Sequence, residues 1–199
     1  MENQLIVTIG REYGSGGREI AQKLSEKLGI SLYDKNILET IFMDNKDEAE
    51  KRQKYDEKRP VMGLTRHVRG ESNSLEESVA KKQFAFMRDK AACMESFVVV
   101  GRCASSVLEG NEGLIRIFIC GDIEERIKRV MQRNNLNEKQ ALDLIKKTDK
   151  TRELYHNTYS QAKWGKASSY DLCINSSTLG IEETVQLIAD YIAMHTAKK

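Results

Sequence analysis

Residues 5–9, LIVTI, form a short apolar run rich in β-branched side chains and closed by Gly10, the pattern of a buried strand. A glycine-rich turn follows. Beyond it Ile20, Ala21, Leu24 and Leu28 recur at helical spacing, and Gly29 supplies the stop. Residues 30–33 read as a second short strand. Asp34 is then placed to cap a helix carrying Ile37, Leu38, Ile41 and Phe42 on one side. Ser74 with Glu77 spells a capping box for a helix running to about Met94. Two further apolar runs, 97–100 and 114–120, lack polar alternation apart from Arg116, as strands do when both sheet faces are covered. The GNEG segment at 110–113 makes the turn between them. Asp122 and Glu125 form a second capping pair, for a helix through Arg133, and Asn137 with Gln140 opens another. Residues 171–174 give a fifth strand. An amphipathic helix over 181–194 closes the pattern, with Val185, Ile188, Ala189 and Ile192 inward.

Five strands alternating with helices predict βαβ units and a parallel α/β sheet. In open sheets of this kind ligands bind at the carboxyl ends of the strands. Here those ends carry residues 10–18, Asp34, Gly101 and Arg102.

Composition narrows the picture. The 199 residues suit one domain, and Lys plus Arg (32) nearly balance Asp plus Glu (30), leaving +2. That balance speaks against a dedicated nucleic-acid binder, which would be strongly basic. Residues 44–59 hold 12 charges of both signs in 16 positions and read as a solvated surface stretch. No apolar run approaches the ~20 residues of a membrane span. The opening MENQLIVTIG has no basic region before its apolar stretch, so a cytoplasmic protein is expected. Cys93, Cys103, Cys120 and Cys173 show no paired spacing and read as reduced thiols acting as small hydrophobes. The three histidines, His67, His156 and His195, show no metal-ligand spacing.

The strand–turn–helix around residues 9–20, IGREYGSGGREI, is the context of a phosphate-binding loop. Glycines let successive backbone N–H groups converge on an anion, and the helix N-terminus adds its dipole. Gly10, Gly14, Gly16 and Gly17, with Arg11 and Arg18 alongside, exceed what a plain tight turn needs. Against the GxxxxGK[ST] motif, Gly16 takes the second glycine position, Arg11 replaces the first glycine, Gly17 replaces the lysine, and Arg18 follows. Neither the lysine nor the hydroxyl is in register. Arg18 and Arg11 are the two candidates to supply the missing charge.

The landmarks IVTIGREYGSGGREIAQKLSEKLGI, LYDK at 32–35, FVVVGRCA at 97–104, RIFICGDIEERIKRV at 116–130, LIKKTDKTRELY at 144–155 and YDLCINSSTLGIEETV at 170–185 occur in one order. In these the chain resembles the cytidylate-kinase-like family of bacterial P-loop nucleoside monophosphate kinases. The resemblance covers nearly the whole chain. It implies a three-layer α/β P-loop kinase fold of one domain, with a five-stranded parallel sheet of order 2-3-1-4-5. A helical NMP-binding insert (44–96) and a small lid (about 134–165) are implied with it. By the same resemblance Gly14, Ser15, Gly16, Gly17 and Arg18 correspond to the phosphate loop, with Arg11 beside it. Asp34 and Arg102 fall at the acceptor site, and Arg126, Asp149 and Arg152 on the donor and lid side. Cys103 stands where the family's Gly-Arg-Asp element has its aspartate.

Each assignment has a plainer competitor. Asp34 can be a helix cap. Arg126, Arg129 and Arg133 can form a solvated helical stripe, Lys146, Lys147, Lys150 and Arg152 can complement a helix dipole, and Arg66, His67 and Arg69 can be a surface patch. The implied activity is phosphoryl transfer from ATP, with Mg²⁺ held mainly by the nucleotide, to a nucleoside monophosphate, CMP or dCMP first. Arg18, Arg102 and Arg152 are the catalytic candidates, with nucleotides as the only partners implied. Two alternatives stand beside it: a nucleotide-binding sensor with a degenerate loop, and a kinase for another small acceptor.

Overall fold

The computed structural model describes residues 4–36, 38, 67–68, 71–72 and 75–197. Seven strands are present among them: β1 (Ile6–Arg11), β2 (Ser31–Tyr33), β3 (His67–Val68), β4 (Glu71–Ser72), β5 (Phe97–Val100), β6 (Leu114–Cys120) and β7 (Leu172–Asn175). The helices are α1 (Gly17–Leu28), α2 (Leu75–Ala92), α3 (Ala104–Val107), α4 (Ile123–Asn134), α5 (Glu138–Tyr159), α6 (Ser176–Leu179) and α7 (Ile181–Thr196). Five strands form one parallel sheet in the order β2-β5-β1-β6-β7, which is 2-3-1-4-5 when only these five are counted. The short β3 and β4 pair separately, antiparallel.

Alternation along the strands sorts the core into two layers. Val7, Ile9, Val98, Val100, Ile117 and Ile119 point to one face, where Ile20 and Leu24 of α1 and Val185, Ile188 and Ile192 of α7 cover them. Ile6, Phe97 and Val99 point to the other, against Tyr33, Leu38, Met87, Ala104 and Leu108. Both faces are therefore dry, which is why these strands carry no polar alternation. No helix among the described residues is long and apolar enough to cross a membrane.

The central strand runs past Gly10 instead of ending there. β6 continues to Cys120 and so offers partners for Gly10 (Phe118) and Arg11 (Ile119). Gly10 is needed within the strand, because a Cβ there would lie 2.8 Å from the Phe118 ring. Asp122 stands at the N-cap of α4 without a side-chain capping bond; its carboxylate instead accepts from Asn175 Nδ2 at 2.8 Å. The Asn137–Gln140 capping box of α5 is complete in both directions. Leu38 is buried and its amide donates to the Asp34 carbonyl, so a helical turn does begin at Asp34. Ile37, Ile41, Phe42, the charged 44–59 stretch, Arg66, Arg69 and Ser74 lie outside the described residues.

Candidate active site

The segment between β1 and α1 is held by its carbonyls. Arg152 Nη1 donates to the Arg11 carbonyl at 3.1 Å, Ser15 Oγ to that of Glu12 at 2.9 Å, and Arg126 Nε to that of Tyr13 at 2.8 Å. Arg129 Nη1 donates to the Gly14 carbonyl at 2.7 Å, and Ser176 Oγ lies 2.6 Å from that of Ser15. Five consecutive carbonyls are thus drawn outward by α4, α5, α6 and the loop itself. Of the amides that follow these carbonyls, Glu12 donates to the Ile119 carbonyl, Tyr13 to Asp149 Oδ1 and Ser15 to the Glu12 carbonyl, so among the described residues those of Gly14 and Gly16 are left for an anion. Gly14 (φ 84°) and Gly16 (φ 80°) adopt the left-handed conformation this curvature requires. α1 starts immediately afterwards, with Gly16, which has no side chain to cap it, at its N-cap. Its first amides and its dipole therefore face the same space.

Arg126 and Asp149 brace this loop. The Arg126 side chain is 7% exposed and pairs with Glu12 at 3.1 Å and with the Asp149 carboxylate. Asp149 Oδ1 also accepts from the Tyr13 amide at 2.7 Å, and Glu12 Oε2 accepts from the Gly121 amide at 3.1 Å. In the stripe Arg126, Arg129, Arg133 the first is buried and the second half-buried, and both turn onto the loop. Arg133 lies over the Tyr13 ring at 4.9 Å.

Beside the loop, at the carboxyl ends of β1 and β5, lies a cavity of about 250 Å³. Five cationic side chains line it, Arg11, Lys35, Arg102, Lys147 and Arg152, and no carboxylate does so among the described residues. Its wall along α5 is the stripe Leu144, Lys147, Thr148, Thr151, Arg152, Tyr155 and His156, one helix face at i, i+3, i+4 spacing. Trp164 and Tyr170 line it as well. Residues 14–18 lie outside that lining.

The turn after β5 presents Arg102. Gly101, Arg102 and Cys103 have φ of 76°, 57° and 54°, three left-handed residues in succession. Arg102 sits 5.7 Å from the Tyr155 ring centroid. Cys103 is buried, and burial pushes its thiol up to about 12. Its Sγ lies 3.9 Å from the carbonyls of Tyr155 and His156, so a neutral S–H ties the turn to α5 where a carboxylate would be repelled.

Charge is unevenly met across the cavity. Burial first, then the nearby Arg152 and Arg102 guanidinium groups, lower the Arg11 pKa well below the usual arginine value. Arg18 is directed elsewhere: its Nε donates to Asp34 Oδ2 at 2.7 Å, with the Arg18 side chain 63% exposed. At the other end His156 is buried, and burial lowers its pKa below the ordinary 6.5 against a hydrogen bond to the Ala162 backbone. A bond that favours the protonated ring is one the ring donates. The buried Nε2 has no hydrogen-bond partner among the described residues, and His156 is part of the cavity lining.

The structure therefore gathers Arg11, Arg102 and Arg152 at one cavity, pairs Arg18 with Asp34 at its margin, and places Arg126 and Asp149 behind the loop. Lys35, Lys147, Tyr155 and His156 were not singled out as ligand-facing in the sequence. The α5 stripe would have found the last three, because its spacing repeats at each turn from Leu144.

Comparisons with known proteins agree on the architecture. An uncharacterized protein from Eubacterium ventriosum is 37% identical with a TM-score of 0.76, covering 96% of this chain and 99% of its own. Shikimate kinase from Bacteroides thetaiotaomicron has the same fold at 12% identity, with a TM-score of 0.58 over 95% of this chain and 98% of its own. In sequence, a cytidylate kinase from Methanobrevibacter smithii is 21% identical over 184 residues, 92% of this chain and 96% of that enzyme. A uronate isomerase from Corynebacterium glutamicum is 28% identical over 102 residues, 51% of this chain, but the match spans only 20% of that protein's length. The glycine loop after β1, the Gly-Arg turn after β5 and the parallel sheet that carries them fall within residues 6–178, which match the family model, and the chain belongs to the cytidylate kinase-like family.

Proposed function

We propose that the protein transfers the γ-phosphoryl group of ATP to a nucleoside monophosphate, with CMP or dCMP as the preferred acceptor. The observation that carries the reading is the lining of the cavity: five cations and no carboxylate among the described residues. An alcohol acceptor needs a base to take its proton, the role an aspartate plays in protein kinases. A phosphate monoester has its second pKa near ~6 and reaches pH 7 already ionised. It needs cations and alignment, which this cavity offers, and no base.

The loop amides and the α1 N-terminus would hold the donor's phosphates, while Arg102, Arg152, Lys35 and Lys147 draw in the acceptor's. An acceptor phosphate oxygen then bonds to the γ-phosphorus as the bond to the β-bridging oxygen breaks, leaving ADP and a nucleoside diphosphate. Catalysis of this kind rests on positioning and charge neutralisation. Within one domain, the 134–165 segment would serve as the lid and the 44–96 segment as the acceptor-binding insert. Mg²⁺ would arrive on ATP. The donor set does not fit a protein cage: Ser15 Oγ is engaged within the loop, the Glu12 carboxylate is held by Arg126 and the Gly121 amide, and no group of three His, Cys, Asp or Glu side chains converges among the described residues.

The preference for CMP over UMP rests on His156. With Nδ1 turned to the Ala162 backbone, Nε2 of the neutral ring would accept from a base's amino group once uncovered, and would not pair with a carbonyl oxygen in the same place. It sits one helical turn, about 5.4 Å, beyond Arg152, on the side away from the cationic end.

A coupled assay with Mg²⁺-ATP across CMP, dCMP, UMP, AMP and GMP, quantifying both diphosphate products, tests the reading. Turnover of CMP at ~1–10³ s⁻¹ with a clear margin over UMP is the expected result. Clear nucleotide binding without turnover of any acceptor would favour the sensor reading, which the absence of the loop lysine supports. Turnover of a sugar acid but of no nucleotide would favour a kinase for another small acceptor.

A further inference from the structure

We infer that Arg11 supplies, from the end of β1, the cation that phosphate loops otherwise carry on the residue after their second glycine. The inference deepens the transfer reading above and rests on it for its chemistry.

The two departures from the motif touch each other. A Cβ at Gly17 would lie 2.6 Å from the Arg11 Cβ, 3.1 Å from its Cγ and 3.5 Å from the Ile119 Cβ. A lysine cannot occupy position 17 while Arg11 stands where it does. Conversely, position 11 is the motif's first glycine, whose missing side chain leaves that space open. Arginine at 11 and glycine at 17 are therefore one exchange: the side chain has moved from the helix to the strand.

The direction of the Arg11 side chain shows where its charge goes. A Cβ at Gly101 would meet Arg11 Nη1 at 2.0 Å and Cζ at 3.1 Å, so the guanidinium crosses the end of β5 at a residue with no side chain. There it enters the cavity beside Arg102 and Arg152. Among the described residues it makes no ion pair and no side-chain hydrogen bond, in contrast to Arg126 and Arg18, which both hold carboxylates. A half-buried guanidinium between like charges is completed by an incoming anion. Its planar fork can hold two oxygens of the transferring group, where a lysine would act as a point charge. Arg18 cannot serve in its place without leaving Asp34.

A four-member cycle tests this: the natural protein, Arg11→Gly, Gly17→Lys, and the two combined, with turnover measured in the coupled assay and ATP and ADP affinities by calorimetry. Arg11→Gly is expected to lose turnover about 10²–10³-fold, the scale of removing one preorganised charge-stabilising donor. Gly17→Lys alone is expected to lose at least as much, and the combined variant to regain tenfold or more over either single change. Arg11→Gly turnover within threefold of the natural protein would overturn the inference. So would a combined variant no better than the worse single one while circular dichroism and ADP affinity are retained. If a cycle member does not fold, Arg11→Lys and Arg11→Met replace it: the lysine variant should keep measurable turnover and the methionine variant should not, and equal turnover overturns the inference. If the natural protein transfers phosphate to no acceptor, the transfer reading fails separately. The ATP-over-ADP affinity ratio then decides: it should fall in Arg11→Met, and an unchanged ratio overturns the role of Arg11.

Discussion

Arg102 holds φ at 57°, a left-handed conformation that costs an L-residue roughly 1–2 kcal/mol relative to glycine. The strain aims a cation at the cavity. It can be separated from the charge by comparing two substitutions. Arg102→Ala and Arg102→Gly are both expected to raise the acceptor KM tenfold or more. The glycine variant should be more stable than the alanine variant by about 1 kcal/mol in urea denaturation, because only the backbone differs between them. Equal stabilities would remove the strain argument.

His156 gives a second residue-level test. Its folded-state pKa is lowered from 6.5 by burial, so the unfolded chain binds more protons as the pH drops. The stability it contributes is present above 6.5 and lost as pH falls through its folded value. Stability should therefore decline below about pH 6.5, and His156→Phe should flatten that part of the profile. The same variant should bring the CMP-over-UMP preference toward one. The spacing from Leu144 puts His156 on the cavity-facing stripe of α5, but its hydrogen-bonding role was not legible in the sequence. Only the packing around α5 gives its Nε2 a direction. Arg102 was legible, since a charge directly after a buried strand faces the crevice of a parallel sheet.

α4 and α5 act as a pair of clamps on the loop. Their contact contains the Arg126–Asp149 pair, with side chains 7% and 17% exposed. Breaking a buried pair from one side leaves the partner's charge uncompensated, at about 3–5 kcal/mol. Asp149→Asn is expected to destabilise the protein by about 3 kcal/mol and to weaken ATP binding through the loosened Tyr13 amide. Urea titration and calorimetry on the same preparation check both effects. A stability change below 1 kcal/mol would reduce the brace to a surface pair. The sequence placed the start of α5 correctly from its capping box. It could not show that Arg126 turns inward, because a charged residue on an amphipathic helix reads as solvated until a carboxylate from another helix is brought to it. Asp122 makes the converse point. Its capping pattern was legible, but Asn175, 53 positions later, takes its carboxylate.

At the scale of the molecule, the order β2-β5-β1-β6-β7 puts β1 in the centre, so that residues ending three different strands share one rim. Apolar runs without alternation announced that the sheet is covered on both faces. They carried no information on which strand lies next to which, and that order came from resemblance. The rim should also report ligand binding globally. With ATP at 100 times its Kd, linkage adds about 2.7 kcal/mol to stability. For a chain of this size that corresponds to a rise in Tm of roughly 5–10 °C. A thermal shift with ATP should show it, and it should be absent in Gly16→Val, whose Cβ would meet Ile181 Cδ1 at 2.4 Å. An unchanged Tm in the natural protein would count against the loop as a donor site.

The carbonyl anchors of the loop are scattered along the chain, and the last of them, Ser176, lies 161 positions from its partner Ser15. During synthesis the glycine segment leaves the ribosome well before the Ser176 hydroxyl that holds the last of these carbonyls. A nascent chain halted before α4 would contain the whole glycine signature but only one of the five carbonyl anchors, the hydroxyl of Ser15. On the proposed reading, ATP affinity would therefore appear only once residue 176 has been made, and the growing chain would not sequester ATP before then.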